Sequence, residues 1–246
     1  MLHFTRNIAL LFLLFTVSCA QQLTPVQYSY QRKNIDSNSV ADAKIESMIK
    51  PYKDSLQATM NAVIVTNNNM LTKKQPESTL GNVLADALLQ QASKCCGKKA
   101  DVAILNQGGI RLSQLAPGPV TLGKIYELMP FENRLVLMEL SGKNLQLLFN
   151  SIAHAGGWPI SGARFTISNN SAENVTINGK ALDADKMYWL AVSDYLADGG
   201  DKLEMIKGKP YIDSGKTIRQ AFIDEFTEMN AQGKQLKAYL DKRIEN

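Results

Sequence analysis

Two segments of this sequence pair an aromatic ring with a polar group. Pro130-Phe131-Glu132-Asn133 sets a ring and an amide at a proline-marked bend. Tyr195 precedes Asp201 by six residues, across Gly199-Gly200. Two rings on separate loops can sandwich a nucleobase, a contact worth about 1–3 kcal/mol per base. A carboxylate such as Asp201 can accept hydrogen bonds from two ribose hydroxyls. A third segment, Asn106-Gln107-Gly108-Gly109-Ile110-Arg111, follows an apolar run. Its glycines let the backbone approach a ligand with N–H groups outward. Arg111 adds a planar, permanently charged fork suited to phosphate. Taken singly, each segment also reads as an ordinary turn or core aromatic.

Other chemistries lack their residues. The only histidines are His3 and His154. A catalytic zinc or di-metal site needs several converging His and carboxylate ligands. His154, before a double glycine, reads as a surface or capping residue. No G-x-S-x-G elbow and no phosphate loop of the G-x-x-x-x-G-K-[ST] type occurs. Cys95 and Cys96 are adjacent, which suits neither a disulfide framework nor a thiolate metal site. The formal charge is a mild +4, with no cluster of Arg and Lys to track a nucleic-acid backbone.

The elements that must position these loops follow from pattern. Ala41 to Ile49 reads as a short helix ended by Lys50-Pro51, and Met60 to Val65 as a strand. Leu80, Val83, Leu84, Ala87 and Leu88 share one helical face, with Ser78 or Thr79 as cap. Asp101 to Leu105 is an apolar strand, and Arg134 to Leu140 another, followed by a helix over about 143–153. Further strands are expected at 164–167, 174–177 and 188–192, with a hairpin turn at Asn178-Gly179. A final helix starts near Thr217, and a restart is expected after Gly233. Strands and helices mix without regular βαβ alternation, so the predicted class is α+β, with mixed sheets and flanking helices.

The N-terminus reads as an address. Ile8 to Val17 is apolar apart from Thr16, too short to span a bilayer and right for a signal peptide. Thr16-Val17-Ser18-Cys19 resembles a bacterial lipobox, which makes Cys19 the expected lipidated residue. An ordinary signal peptide cleaved near Ala20 is the alternative. The expected organisation is a signal peptide over 1–18, a polar tether over 19–40 and one domain over 41–246. The expected location is outside the cytoplasm, on a membrane through the lipid.

The motifs resemble a family in order and spacing. Glu77 to Ala87, Asn106 to Arg111, Pro130 to Asn133, Leu140-Ser141-Gly142, Ile160-Ser161-Gly162 and Tyr195 to Asp201 together resemble the C-terminal domain of the 5′-nucleotidase and UDP-sugar hydrolase family. By that resemblance Arg111 contacts the phosphate–ribose side of a nucleotide. Phe131 and Tyr195 stack the base, and Asn106, Asn133 and Asp201 make polar contacts, Asp201 with the ribose. Three departures stand out. Tyr195 replaces a usual Phe but keeps the ring, so Tyr195→Phe is expected to alter binding little. Gln107 stands where a small residue is common and is expected to crowd the loop. An arginine common before the Glu-Ser segment is missing, and Lys73 and Lys74 are the nearest cations.

The family's metal-bearing half has no counterpart here: its Asp-x-His, Asn-His-Asp/Glu and Gly-His-x-His elements are nowhere in the sequence. The resemblance therefore implies the nucleotide-binding part of a split nucleotide hydrolase. The divalent metals would come from a separate metallophosphatase chain, with no cofactor and no catalytic residue in this one. The alternative is a lipoprotein that captures a nucleotide or nucleoside without hydrolysis.

Overall fold

The computed structural model describes Tyr30, Arg32 and residues 39–246. Cys19, the signal peptide and most of the expected tether lie outside the described residues. The first helix, α1 (Ala43–Met60), is longer than predicted, because it continues through Pro51. Proline removes one helical hydrogen bond. No α1 residue is buried, so water can satisfy the carbonyl this leaves unpaired. Lys50 and Asp54 pair across one turn at 2.8 Å.

Residues 49–246 hold the core. After β1 (Val63–Asn67) and the short β2 (Leu71–Thr72) comes α2 (Thr79–Cys95), capped by Ser78, which accepts from the Gly81 N–H as the sequence suggests. Then follow β3 (Val102–Ile104), β4 (Gln114–Leu115), β5 (Gly118–Thr121) and α3 (Leu122–Leu128). The long strand β6 (Arg134–Ser141) leads through the Ser141 cap into α4 (Gly142–His154). Next are β7 (Ile160–Ser161), β8 (Ala163–Ser168), β9 (Ser171–Ile177) and β10 (Lys180–Ala181), with β9 and β10 forming the predicted hairpin. Strand β11 (Met187–Ser193) runs into the single turn α5 (Asp194–Ala197). The chain continues with β12 (Tyr211–Thr217), α6 (Ile218–Ala231) and β13 (Ile244–Glu245).

The central sheet has the order β12-β6-β11-β3-β7. It is mixed: β3 runs parallel to β11, and β6 runs antiparallel to it. Both faces are covered, which explains the four successive buried apolar residues, Leu135 to Met138, of β6. Leu135 and Leu137 join Ala103 and Ala191 against Leu84 and Leu88 of α2 and Phe222 and Phe226 of α6. Val136, Met138 and Leu140 face the other way, onto Leu145, Leu148 and Phe149 of α4. That second core is closed by the four-stranded sheet β10-β9-β8-β13, with Phe149 and Phe165 rings 5.5 Å apart.

The expected helix after Gly233 does not form. Residues 234–246 form no helix and turn once, at Lys242 (φ 61°): Leu236 bridges Asn67, and β13 pairs with β8. Leu236 and Ile244 are buried in these positions. Buried apolar anchors and long-range strand pairing therefore outweigh the weak local helical preference of this stretch.

Candidate functional site

The sheet topology brings three loops to one end. Ser193, at the end of β11, lies opposite Leu135 near the start of β6. Strand β3 is parallel to β11, so its exit at Asn106 falls at the same end. There Asn106, Gly108, Gly109, Phe131, Asn133, Tyr195 and Asp201 line one cavity of about 350 Å³. Five of the six residues singled out from sequence are thus walls of one space. Arg111, the sixth, stands beside it: its guanidinium is 5.9 Å from the Phe131 ring centre and reaches the Gly108 carbonyl at 3.5 Å.

The first loop is held from below. Ile110 is buried, and the Arg111 N–H donates to the Leu128 carbonyl at 2.9 Å. The Lys73 ammonium donates to the carbonyls of Ile110 at 2.7 Å and Gln107 at 3.3 Å. Lys73 is therefore a brace for this loop. Gln107 is not a wall of the cavity; its amide donates to the Lys74 carbonyl at 3.2 Å. A Cβ at Gly109 would sit 2.6 Å from Oδ1 of Asn106, so glycine there lets the Asn106 side chain keep its place.

The Phe131 loop is fixed by a residue that sequence reasoning missed. Arg219 is only 7% exposed and donates to the carbonyls of Met129 and Phe131, both at 3.2 Å. It also pairs with Glu132 and lies over the Tyr126 ring at 4.2 Å. The signal was present: Arg219 stands three and seven residues before Phe222 and Phe226, on the apolar face of α6. Asp194 joins the second and third loops, its Oδ1 accepting from the N–H groups of Arg134 at 3.0 Å and Tyr195 at 2.7 Å.

Tyr195 lies against Gly200, where a Cβ would come within 2.6 Å of ring carbons. Its hydroxyl donates to Asp201 Oδ1 at 2.9 Å and accepts from the Asp201 N–H at 3.2 Å. That bond to the carboxylate holds the phenol above its usual pKa. Asn106 donates its amide to Asp201 Oδ2 at 2.6 Å. Asp201 sits at φ 51°, ψ 30°, a left-handed conformation that non-glycine residues seldom adopt. The Phe131 and Tyr195 rings are 39% and 45% exposed, and neither packs on another ring among the described residues. The cavity therefore offers two partly open aromatic rings, two amides, a carboxylate and a nearby guanidinium.

His154 is exposed at the end of α4 and lines an adjoining cavity of about 570 Å³ with Trp158 and Lys202. Asp201 is the wall shared by the two cavities. No group of three or more His, Cys, Asp or Glu among the described residues could hold a metal ion. No helix among them is long and apolar enough to cross a membrane.

Known proteins share this fold. The profile of the 5′-nucleotidase C-terminal domain matches residues 53–208. A 5′-nucleotidase of Vibrio vulnificus (strain CMCP6) is 29% identical over 212 residues, which is 82% of this chain and 37% of that protein. A trifunctional nucleotide phosphoesterase of Bacillus subtilis (strain 168) is 28% identical over 188 residues, covering 68% of this chain and 13% of its own. The crystal structure of a 5′-nucleotidase precursor from Thermus thermophilus superposes with a TM-score of 0.69 at 29% identity, over 81% of this chain and 42% of that one. This chain thus spans well under half the length of these relatives. With the profile match covering most of residues 49–246, the chain belongs to the 5′-nucleotidase C-terminal domain family.

Proposed function

We propose that this chain is the nucleotide-binding part of a split nucleotide hydrolase. In this reading the base lies between Phe131 and Tyr195, with Asn133 at its edge. Asp201 accepts from the ribose, Asn106 steadies it, and the phosphate points toward Arg111. The observation that carries the reading is the convergence of two rings, two amides and Asp201 on one cavity. A purely structural turn would have no need to keep two partly exposed rings beside a carboxylate.

The metals of hydrolysis are placed on a partner chain, because the donor chemistry here does not suit them. Among the described residues, Asp201 is the only carboxylate lining the cavity; its other walls are amides, glycines and aromatic rings. The imidazole of His154 belongs to the neighbouring space. What this chain supplies is positioning: holding base and ribose fixes where the phosphate goes, which can account for a large part of a reaction barrier. Export and lipid attachment at Cys19 belong to the same proposal and rest on the apolar run before it.

The test is phosphate release from adenosine monophosphate by this chain, by a metallophosphatase chain and by both together. Turnover is expected only with both, and it should fall with Asp201→Ala. Metal-dependent turnover by this chain alone, unaffected by Arg111→Ala and Asp201→Ala, would falsify the split-enzyme reading. Binding without turnover in every combination would favour the nucleotide-capture lipoprotein instead.

A further inference from the structure

Tyr195 keeps the ring expected at its position, and its hydroxyl makes two bonds that a phenylalanine could not. One is donated to Asp201 Oδ1 at 2.9 Å, and the other accepts the Asp201 N–H at 3.2 Å. The second bond helps hold Asp201 in its left-handed conformation. The first, with the Asn106 amide on Oδ2 at 2.6 Å, leaves each carboxylate oxygen with one protein donor. A carboxylate has about four acceptor positions. No Lys, Arg or His among the described residues lies within 4.0 Å of Asp201 to take up the remainder. One acceptor position on each oxygen therefore stays open, and the pair points as a unit set by Tyr195 and Asn106.

We propose that the Tyr195 hydroxyl, with the Asn106 amide, fixes Asp201 as a two-point acceptor for a vicinal diol, so that the cavity selects ribonucleotides over 2′-deoxyribonucleotides. The proposal rests on the nucleotide reading above. A ribose offers two adjacent hydroxyls, one to each oxygen. A 2′-deoxyribose offers one and leaves one carboxylate oxygen without its second donor. Sites built to hydrogen-bond a substrate hydroxyl reject the analogue that lacks it more strongly than apolar pockets reject a lost methylene. Tyr195 is thus a positioning residue as well as a stacking ring. Under this proposal Tyr195→Phe weakens ribonucleotide binding, where the resemblance alone implies little change.

The experiment is calorimetric titration of the purified chain with adenosine monophosphate and its 2′-deoxy analogue. Wild type should prefer the ribonucleotide by about tenfold, the equivalent of one hydrogen bond to a charged group. Tyr195→Phe and Asn106→Ala should each bring that ratio close to one, with the stacking ring intact in both. A ligand-free measurement accompanies it: carbon-13 tyrosine NMR should show the Tyr195 phenol titrating above the ordinary range in wild type. In Asp201→Asn it should return toward that range. Equal wild-type affinity for the two nucleotides, or an unchanged ratio in Tyr195→Phe, overturns the selection. An unchanged Tyr195 titration in Asp201→Asn overturns the positioning while leaving nucleotide binding untouched. Failure of wild type to bind either nucleotide overturns the nucleotide reading, and this inference with it.

Discussion

Asp86 and Asp201 each accept a hydrogen bond from a tyrosine, but the donors around them differ in number. Asp86 receives four: Ser161 Oγ at 2.5 Å, Arg243 Nη1 at 2.7 Å, Arg243 Nη2 at 3.0 Å, and the Tyr239 hydroxyl. Its acceptor capacity is full. Arg243 has an 8% exposed side chain and also reaches Asp241 and the Ile160 carbonyl. This cluster joins the C-terminal segment to α2 and β7. Asp201 receives one side-chain donor on each oxygen, from a tyrosine and an amide, and lies in an open cavity. A saturated carboxylate locks structure, whereas a half-saturated one is left able to meet a ligand. Both accept from a tyrosine; the number of further donors, and the buried guanidinium among those on Asp86, separate the two roles.

Breaking the lock should have the largest effect. Arg243→Ala leaves Asp86 without its cation and Asp241 with Arg164 alone, and should cost about 3 kcal/mol of stability. Urea denaturation measures this directly. Nucleotide affinity of the molecules that remain folded should change little, since Arg243 is not a wall of the candidate site. A large loss of affinity with unchanged stability would merge the two regions that the comparison separates.

Arg219 tests the boundary between them. It is buried like Arg243 but holds the loop that carries Phe131. Arg219→Ala should cost about 2 kcal/mol of stability, from lost bonds to a charged group, and should also weaken nucleotide binding severalfold. Tyr195→Ala removes an exposed ring and should leave stability within about 0.5 kcal/mol of wild type. Its nucleotide affinity should fall by about 1.5 kcal/mol. Calorimetry and thermal melting of both variants would place Arg219 on both sides of the divide and Tyr195 on one.

What could be read beforehand divides along similar lines. The capped helices were legible because Ser78, Ser141 and Thr217 sit directly before periodic apolar faces, and each accepts the N–H expected of a cap. Strands β6 and β11 were legible as apolar runs. The site loops were legible as ordered motifs, and the sheet gathers five of their six marked residues around one cavity. The braces were not. Lys73, Arg219 and Arg243 bind partners 34 to 157 residues away in sequence, at Gln107, Phe131 and Asp86. No local pattern encodes such a partner. The segment after Gly233 was misread for the same reason, because its non-helical form depends on Asn67 and on β8.

The smallest effect expected is that of Tyr239→Phe, and it carries the sharpest pH signature. Burial pushes the Tyr239 phenol well above its usual pKa, and the bond to Asp86 pushes the same way. The neutral phenol is thus favoured by folding. Its contribution is complete below about pH 10, where an unfolded tyrosine begins to ionise. Above that value the unfolded chain binds fewer protons than the folded one, so stability falls as pH rises, by about 1.4 kcal/mol per unit for one such group. Tyr239→Phe leaves Ser161 and Arg243 on Asp86 and should cost only about 1 kcal/mol at neutral pH. The variant lacks this alkaline penalty. The gap between wild type and variant should therefore shrink above pH 10 and close within about one further unit. Urea denaturation of both proteins from pH 7 to 11 measures it. A gap that stays constant through pH 11 would mean that Tyr239 is not held neutral against Asp86, and the saturated side of the comparison would lose one of its four donors.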